Sequence, residues 1–432
     1  KMAVFLGIEV QTIFDAKEDY ITQREQGKIA QAALDAKLAD IRMQLDKFQA
    51  LGVRSIFPLH ALDNGFGGTK LYTAVIWNIA NKLINGHFFE VEETPYVNTG
   101  WMSTNDQTYQ YKETGIPLSP DAAIFLRSLG IDLPYVPAGG AVMDNARGLS
   151  KLGEWLIREL ISRGMVIDLS HMSERTSSRA LDLIWEARYP GVVASHFFGY
   201  DPRTIKIAQL GGIVSRHMNP WSGENQRTEP AVLYYLDSVR LMKELSRKKT
   251  PGFAVLKDEK YADYAAAAED AYGAGWNKVP TTWYDTNDDP SDDLVIGQPL
   301  TTDANGICHL GRRPLEGHVP LSYENGGFEA LNPGLYAGKV KTVRFKKQVT
   351  GQRVFDLNVD GPTHVGMLPD FLRHEQIQKD APDYTPLFNS AEAYIRMIER
   401  VDRYLKDPNY PDRDPRHWIE VDTEFWHDPR FQ

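Results

Sequence analysis

Five polar residues stand just past short apolar runs in this chain. Glu9 follows Met2–Ile8, His60 follows Val53–Leu59, and His171 follows Met165–Leu169. His196 follows Gly191–Ala194, and Asp370 follows Thr363–Met367. If each run is a strand of a parallel barrel, all five positions converge on one rim, where barrel active sites lie. Neutral imidazoles and carboxylates gathered there suit zinc or a similar divalent ion. Such an ion lowers the pKa of bound water to about 7 and polarises a carbonyl. A carboxylate such as Asp370 could then carry a proton from the attacking water to the leaving group.

Each residue has a plainer reading. A single histidine at a strand end is more often a hydrogen-bonded structural residue, so His217 and His364 stay unassigned. His171 and His196 are harder to dismiss, because they end consecutive strand–helix units 25 residues apart in the chain. Asp370 follows Pro369 and could cap a helix. Asp360, in Asn358-Val359-Asp360-Gly361, is a rival to it that would serve equally as a turn residue.

The elements that must position these residues alternate. Residues 28 to 50 carry Leu34, Leu38, Ile41, Leu45 and Phe48 in steps of four and three, which is one helical stripe. Gly52 stops that helix before the strand at Val53. A second helix runs from Leu149 to Arg163 with Leu152, Leu156 and Leu160 on one face, and Gly164 ends it. A third spans Ser173 to Ala187. Gly211–Ser215 reads as a further strand. The run Val354 to Val359 lies so close to Thr363–Met367 that the two count as one barrel strand. A last helix begins near Asn389, with Glu392 in capping-box position and a stripe of Tyr394, Met397, Ile398, Val401 and Leu405.

Six strands, mostly separated by helices, predict a parallel α/β sheet. Two stretches break the alternation, 61–147 and 218–350. They are too long for structureless loops, and in a barrel they would emerge on the active face.

The composition narrows the function classes. The 432 residues are 42% hydrophobic and 25% charged, enough to bury a large core. No apolar run approaches the ~18 residues of a spanning helix. Net charge is -10 with no basic block, which argues against nucleic acid. The single cysteine, Cys308, excludes an intrachain disulfide framework and a multi-thiolate zinc site. The acidic stretch Asp285–Asp293 lacks the glycine and glutamate of a calcium-binding EF-hand loop and reads as a solvated loop. The aromatics from Tyr72 to Tyr111 fit a cleft lining and core packing equally well. The composition is compatible with a homo-oligomer.

Residues 145–198 resemble the membrane (renal) dipeptidase family, part of the amidohydrolase superfamily of metal-dependent barrels. The stretches that carry the resemblance are Gly148-Leu149-Ser150, Gly164 through Ser173, and Val193-Ala194-Ser195-His196. More loosely, Leu51–Arg54 leading to Leu59-His60 is similar to the family's fourth strand, and Gly7-Ile8-Glu9 to its third. The resemblance implies that Glu9 bridges two metals, that His171 and His196 bind the second metal, and that His60 contacts substrate. His364-Val365-Gly366 followed by Pro369-Asp370-Phe371 is similar to the segment ending in the catalytic aspartate, which favours Asp370 over Asp360. Arg203, after Pro202, resembles an arginine that contacts the substrate carboxylate, although its spacing from His196 is short and an exposed helix arginine serves as well.

One departure stands out. The family's first strand ends in His-x-Asp, and no such triplet occurs in these residues. The chain opens with Lys1 directly into an apparent core strand. The expectation is therefore a (β/α)8 TIM-type barrel with two long insertions that lacks its first two strands. Those strands would lie on a separate N-terminal fragment chain or outside this sequence. In this scheme residues 1–60 hold strands three and four, 148–217 continue the barrel, and 351–432 hold its last strand and C-terminal helix. The expected activity is metal-dependent hydrolysis of an amide (dipeptide-like) or ester bond, with one or two ions, zinc foremost. The alternative is a catalytically inactive barrel that serves as a binding or structural component.

Overall fold

The computed structural model describes residues 5–71, 75–94, 142–196, 207, 210–217, 297, 299–301, 319–324, 327–330, 341–344, 346–378 and 390–406. Arg203, Cys308 and the Asp285–Asp293 stretch lie outside them, as do Tyr72 and Tyr111.

Along the chain come β1 (Leu6–Ile8), α1 (Tyr20–Glu25), α2 (Gln31–Ala50), β2 (Val53–Ile56), α3 (Val75–Asn85), β3 (Val91–Thr94) and β4 (Val142–Asn145). Then follow α4 (Lys151–Ser162), β5 (Val166–Asp168), α5 (Glu174–Glu186), β6 (Val192–Ala194) and β7 (Ile213–Val214). Five of these strands form one parallel sheet in the order β1-β2-β5-β6-β7. Five of the six expected strands are thus present, side by side in chain order. Successive parallel strands joined by helices end on the same edge, which is what gathers their C-terminal residues.

The helices form where capping and periodicity coincide. Ser150 caps α4 by accepting a hydrogen bond from the Gly153 amide at 2.9 Å, and Ser173 caps α5 through the Thr176 amide. Leu152, Leu156, Ile157 and Leu160 line one face of α4 and are wholly buried, each burial contributing roughly 1.5–3 kcal/mol. Gly164 then turns the chain at φ +66° into β5. In α2 the predicted stripe is kept: Leu34, Ile41 and Leu45 are buried, with Leu38 and Phe48 packed beside them.

The first strand departs from expectation. The apolar run predicts a core strand, yet Leu6 is 47% exposed, because β1 is an edge that pairs only with β2 among the described residues. β5 and β6, with neighbours on both sides, are fully buried.

The first long insertion is framed by structure. β3 and β4 pair antiparallel, Val91 against Asn145 through Thr94 against Val142. Residues 57–71, just after β2, are almost entirely buried and pack onto α4 and the segment before it. Two glycines permit that approach. A Cβ on Gly68 would meet the Arg147 carbonyl oxygen at 2.2 Å, and one on Gly153 would meet that of Phe66 at 2.1 Å. β8 (Arg216–His217), just before the second insertion, pairs parallel with β9 (Leu300–Thr301) inside it, and within the insertion β10 (Gly327–Ala330) pairs antiparallel with β11 (Lys341–Arg344).

The C-terminal third holds the clearest correction. Neither Val354–Val359 nor Thr363–Met367 joins the parallel sheet. β12 (Gln348–Thr350) and β13 (Arg353–Phe355) make an antiparallel hairpin, and α6 (Leu357–Asp360) follows at once. Val365–Met367 is a 3-10 turn that runs into α7 (Leu368–Gln378). Pro369 explains the change, since its fixed φ and missing N–H suit the first turn of a helix. Leu321, Leu357, Met367 and Phe371 form a small core of their own. The final helix, α8 (Ser390–Lys406), is where it was predicted. Ala393 and Met397 cover Val166, Val193 and Ile213 of the sheet, and Val401 and Tyr404 join the main core. Leu405 of the predicted stripe is 40% exposed, and Glu392 binds Arg396 one turn on at 2.9 Å. Among the described residues, no helix is long and apolar enough to cross a membrane.

Candidate metal centre

Four of the predicted site residues follow neighbouring strands of the sheet. Glu9 directly follows β1, His60 lies four residues past β2, His171 three past β5, and His196 two past β6. Glu9 Oε1 lies 2.7 Å from His171 Nε2, 3.3 Å from His196 Nε2 and 3.6 Å from His60 Nε2. The two nitrogens of His171 and His196 are themselves 2.5 Å apart. One ligand atom from each of Glu9, His171 and His196 falls within 4.8 Å of the others.

The surroundings grade from dry to wet. His171 and His196 are buried, the Glu9 carboxylate is 31% exposed, and His60 stands at 33% beside it. Phe57 packs against both buried rings, 5.6 Å from His196 and 6.1 Å from His171 between centroids. The group therefore has an apolar back and an open front.

Electrostatics set the protonation states. Burial alone would raise the pKa of Glu9, but hydrogen bonds from His171 and His196, and their charge, outweigh it and hold the carboxyl well below its ordinary range. Burial pushes His171 down to about 4, aided by the neighbouring charges of His196 and His60 and opposed by Glu9. An ionised carboxylate beside a neutral imidazole is the state in which both ligate a metal.

Behind the ligand atoms lies a set of orienting contacts. His196 Nδ1 meets Ser195 Oγ at 2.8 Å, and the His196 amide donates to Ser170 Oγ at 3.0 Å. The amides of Ser170 and Ser195 both donate to Asp168 Oδ1, at 3.0 and 3.3 Å. Burial raises the pKa of Asp168, partly offset by the charge of His196 and by these serines. With Nδ1 engaged, the His196 ring turns Nε2 toward Glu9. None of these three was singled out from the sequence. The signal was there in the repeated Ser-His pair, 170–171 and 195–196, at the ends of consecutive strands. His171 also carries an unusual backbone, with φ at +67°.

Asp370 does not join this group. It lies in the first turn of α7, wholly buried, and the polar groups that bear on its carboxyl are Tyr323, His364 and Asp356. Burial raises its pKa, and the neighbouring Asp356 charge adds to this, while Tyr323 and His364 partly offset it. Its rival Asp360 accepts from the Asp356 amide at 2.8 Å and lies 3.4 Å from Arg353, which is a turn-closing role. His364 binds the Gly366 amide through Nδ1 at 3.1 Å, and His217 sits in β8.

The class so defined is a mixed α/β protein with a parallel sheet whose strand ends gather a carboxylate and two imidazoles. Residues 136–198 match the family model described as membrane dipeptidase, peptidase family M19. The matched stretch contains His171, His196 and the Asp168, Ser170 and Ser195 behind them. Glu9, His60 and Asp370 lie beyond it. No curated protein and no solved structure matches the chain.

Proposed function

We propose that this chain is a metal-dependent hydrolase of amide bonds in dipeptide-like substrates, with ester hydrolysis as the nearest related chemistry. The observation that carries the reading is the convergence of Glu9, His171 and His196 within the reach of one ion, inside or beside a stretch that matches a dipeptidase family. Two imidazole nitrogens and a carboxylate oxygen form a donor set that suits zinc. A divalent ion bound there supplies Lewis-acid polarisation of the scissile carbonyl and an acidified water.

The chain's own residues do the rest. Glu9, ionised and half open to solvent, balances cationic charge at the mouth. His60, on the same exposed side, would hydrogen-bond the substrate carbonyl oxygen as negative charge grows on it. The proton-carrying role goes to Asp370 on the resemblance of Pro369-Asp370-Phe371 alone, since the residue lies buried in the first turn of α7 and outside the Glu9 group. Arg203 is the proposed contact for a substrate carboxylate. The architecture we propose is a (β/α)8 barrel, of which the five parallel strands form a contiguous arc.

Metal analysis of the purified protein, together with a dipeptide and ester panel, tests the reading. The protein should hold one or two divalent ions, and combining His171→Ala with His196→Ala should remove them along with hydrolysis. Metal content unchanged in that double variant would sink the assignment.

A further inference from the structure

Thr69 lies in the buried loop after β2 and is fully enclosed. Its hydroxyl stands between two carbonyl oxygens. It donates to that of His171 at 2.7 Å and also to that of His60. A hydroxyl has one proton, so the two carbonyls share a single donor and are drawn toward one oxygen atom. They belong to the backbones of the two histidines flanking Glu9, one a candidate ligand and the other the proposed substrate contact.

The threonine is itself held firmly. Its amide donates to Asp63 Oδ1 at 2.9 Å, and Asn145 Nδ2 donates both to that oxygen, at 2.7 Å, and to the Thr69 carbonyl, at 2.9 Å. Asp63 and Asn145 are buried as well. The next residue, Lys70, gives the His171 carbonyl a second donor through its amide at 2.7 Å. His171 is the ligand with the left-handed backbone, at φ +67°, a conformation that persists only when its surroundings over-determine it. Two donors on its carbonyl, both from the 69–70 segment, do so. A β-branched side chain fixed at both backbone ends has little freedom to move its hydroxyl.

We propose that Thr69 is a positioning residue for the metal centre. Its hydroxyl sets the spacing of the His60 and His171 backbones, and it keeps His171 in the conformation from which Nε2 reaches Glu9 and His196. The metal-binding consequence rests on the function proposed above. The backbone consequence does not.

Thr69→Val keeps the shape and removes the donor, whereas Thr69→Ser restores a donor. In the metal-free protein, the ring Cε1–Hε1 NMR signals of His60 and His171 should shift or broaden in Thr69→Val and return in Thr69→Ser. Cobalt(II) titration of the same proteins should show affinity about 10–100-fold weaker in Thr69→Val, as for other outer contacts of metal ligands, and recovery in Thr69→Ser. Unchanged ring signals in Thr69→Val, or a Thr69→Ser protein that behaves like the valine variant, would overturn the proposal. Should Thr69→Val not fold, Thr69→Ala removes the same donor with less bulk, and unshifted His60 and His171 rings there would overturn it equally. A wild-type protein that takes up no cobalt removes the proposed hydrolase function, and the metal-free ring signals still decide the role of Thr69.

Discussion

The strand-end group and the α7 region contain the same kinds of side chain and differ in what the fold does with them. Glu9, His171 and His196 come from three strands of one parallel sheet, spread over nearly two hundred residues, and their ligand atoms meet within 4.8 Å. Asp370, His374 and His364 come from one short stretch, and the first two are wholly buried, yet they make no such group among the described residues. Closeness in sequence is therefore a poor guide to convergence. A parallel sheet delivers each strand end to the same edge, whereas a hairpin, turn and helix in succession send neighbouring side chains in different directions.

The largest test of that contrast is catalytic. Glu9→Gln should abolish metal-dependent turnover by removing metal. Asp370→Asn should leave metal content intact and lower kcat by about 10²–10⁴, the usual contribution of a proton-transferring side chain. Metal content and kcat measured on both variants decide it. If Asp370→Asn turns over like wild type, the α7 region has no part in the reaction and the resemblance at Pro369-Asp370-Phe371 is incidental.

A smaller effect separates the two cores. Leu156 sits in the main core beneath the sheet, and Leu357 in the small core with Leu321, Met367 and Phe371. Both are wholly buried, so Leu→Ala at either should cost about 2–5 kcal/mol. Leu357→Ala should fall at the lower end, because among the described residues fewer neighbours surround the cavity and they can collapse into it. Urea unfolding of both variants provides the measurement. A Leu357→Ala loss as large as that of Leu156→Ala would show that the small core is as tightly packed as the main one.

The same contrast governs what could be read from the sequence. Most of the sheet strands were legible because they are short apolar runs that follow a glycine (Gly52, Gly164, Gly191 and Gly212), with a helical stripe before or after them. Their polar terminators were legible because imidazole and carboxylate are rare company for such runs. Thr363–Met367 has the same outward look, and only Pro369, in its helix-starting position, argued against a strand. The contacts of Thr69 were beyond reach for another reason. Its hydroxyl meets a carbonyl 102 positions away, and backbone carbonyls carry no residue signature. The exposure of β1 was equally hidden, since an edge strand and a central strand can share a sequence.

The smallest prediction opposes the two regions in sign. His171 has its folded pKa lowered from 6.5 to about 4. Between those values the unfolded chain binds the proton and the folded protein does not. Stability of the metal-free protein must therefore fall as pH drops from 6.5 toward 4, by at most about 3 kcal/mol from this group. Glu9, whose pKa is also lowered, adds a further loss below its ordinary 4.5. Asp370 works the other way. Its pKa is raised above 3.8, so the folded state holds a proton that the unfolded chain has released. Its contribution is present at low pH and is lost as pH rises through the folded value. Denaturant unfolding of the metal-free protein across pH 4 to 7 should accordingly show less acid loss in His171→Asn and more acid loss in Asp370→Asn than in wild type. If both substitutions change the slope in the same direction, then burial does not govern these two side chains as the structure implies.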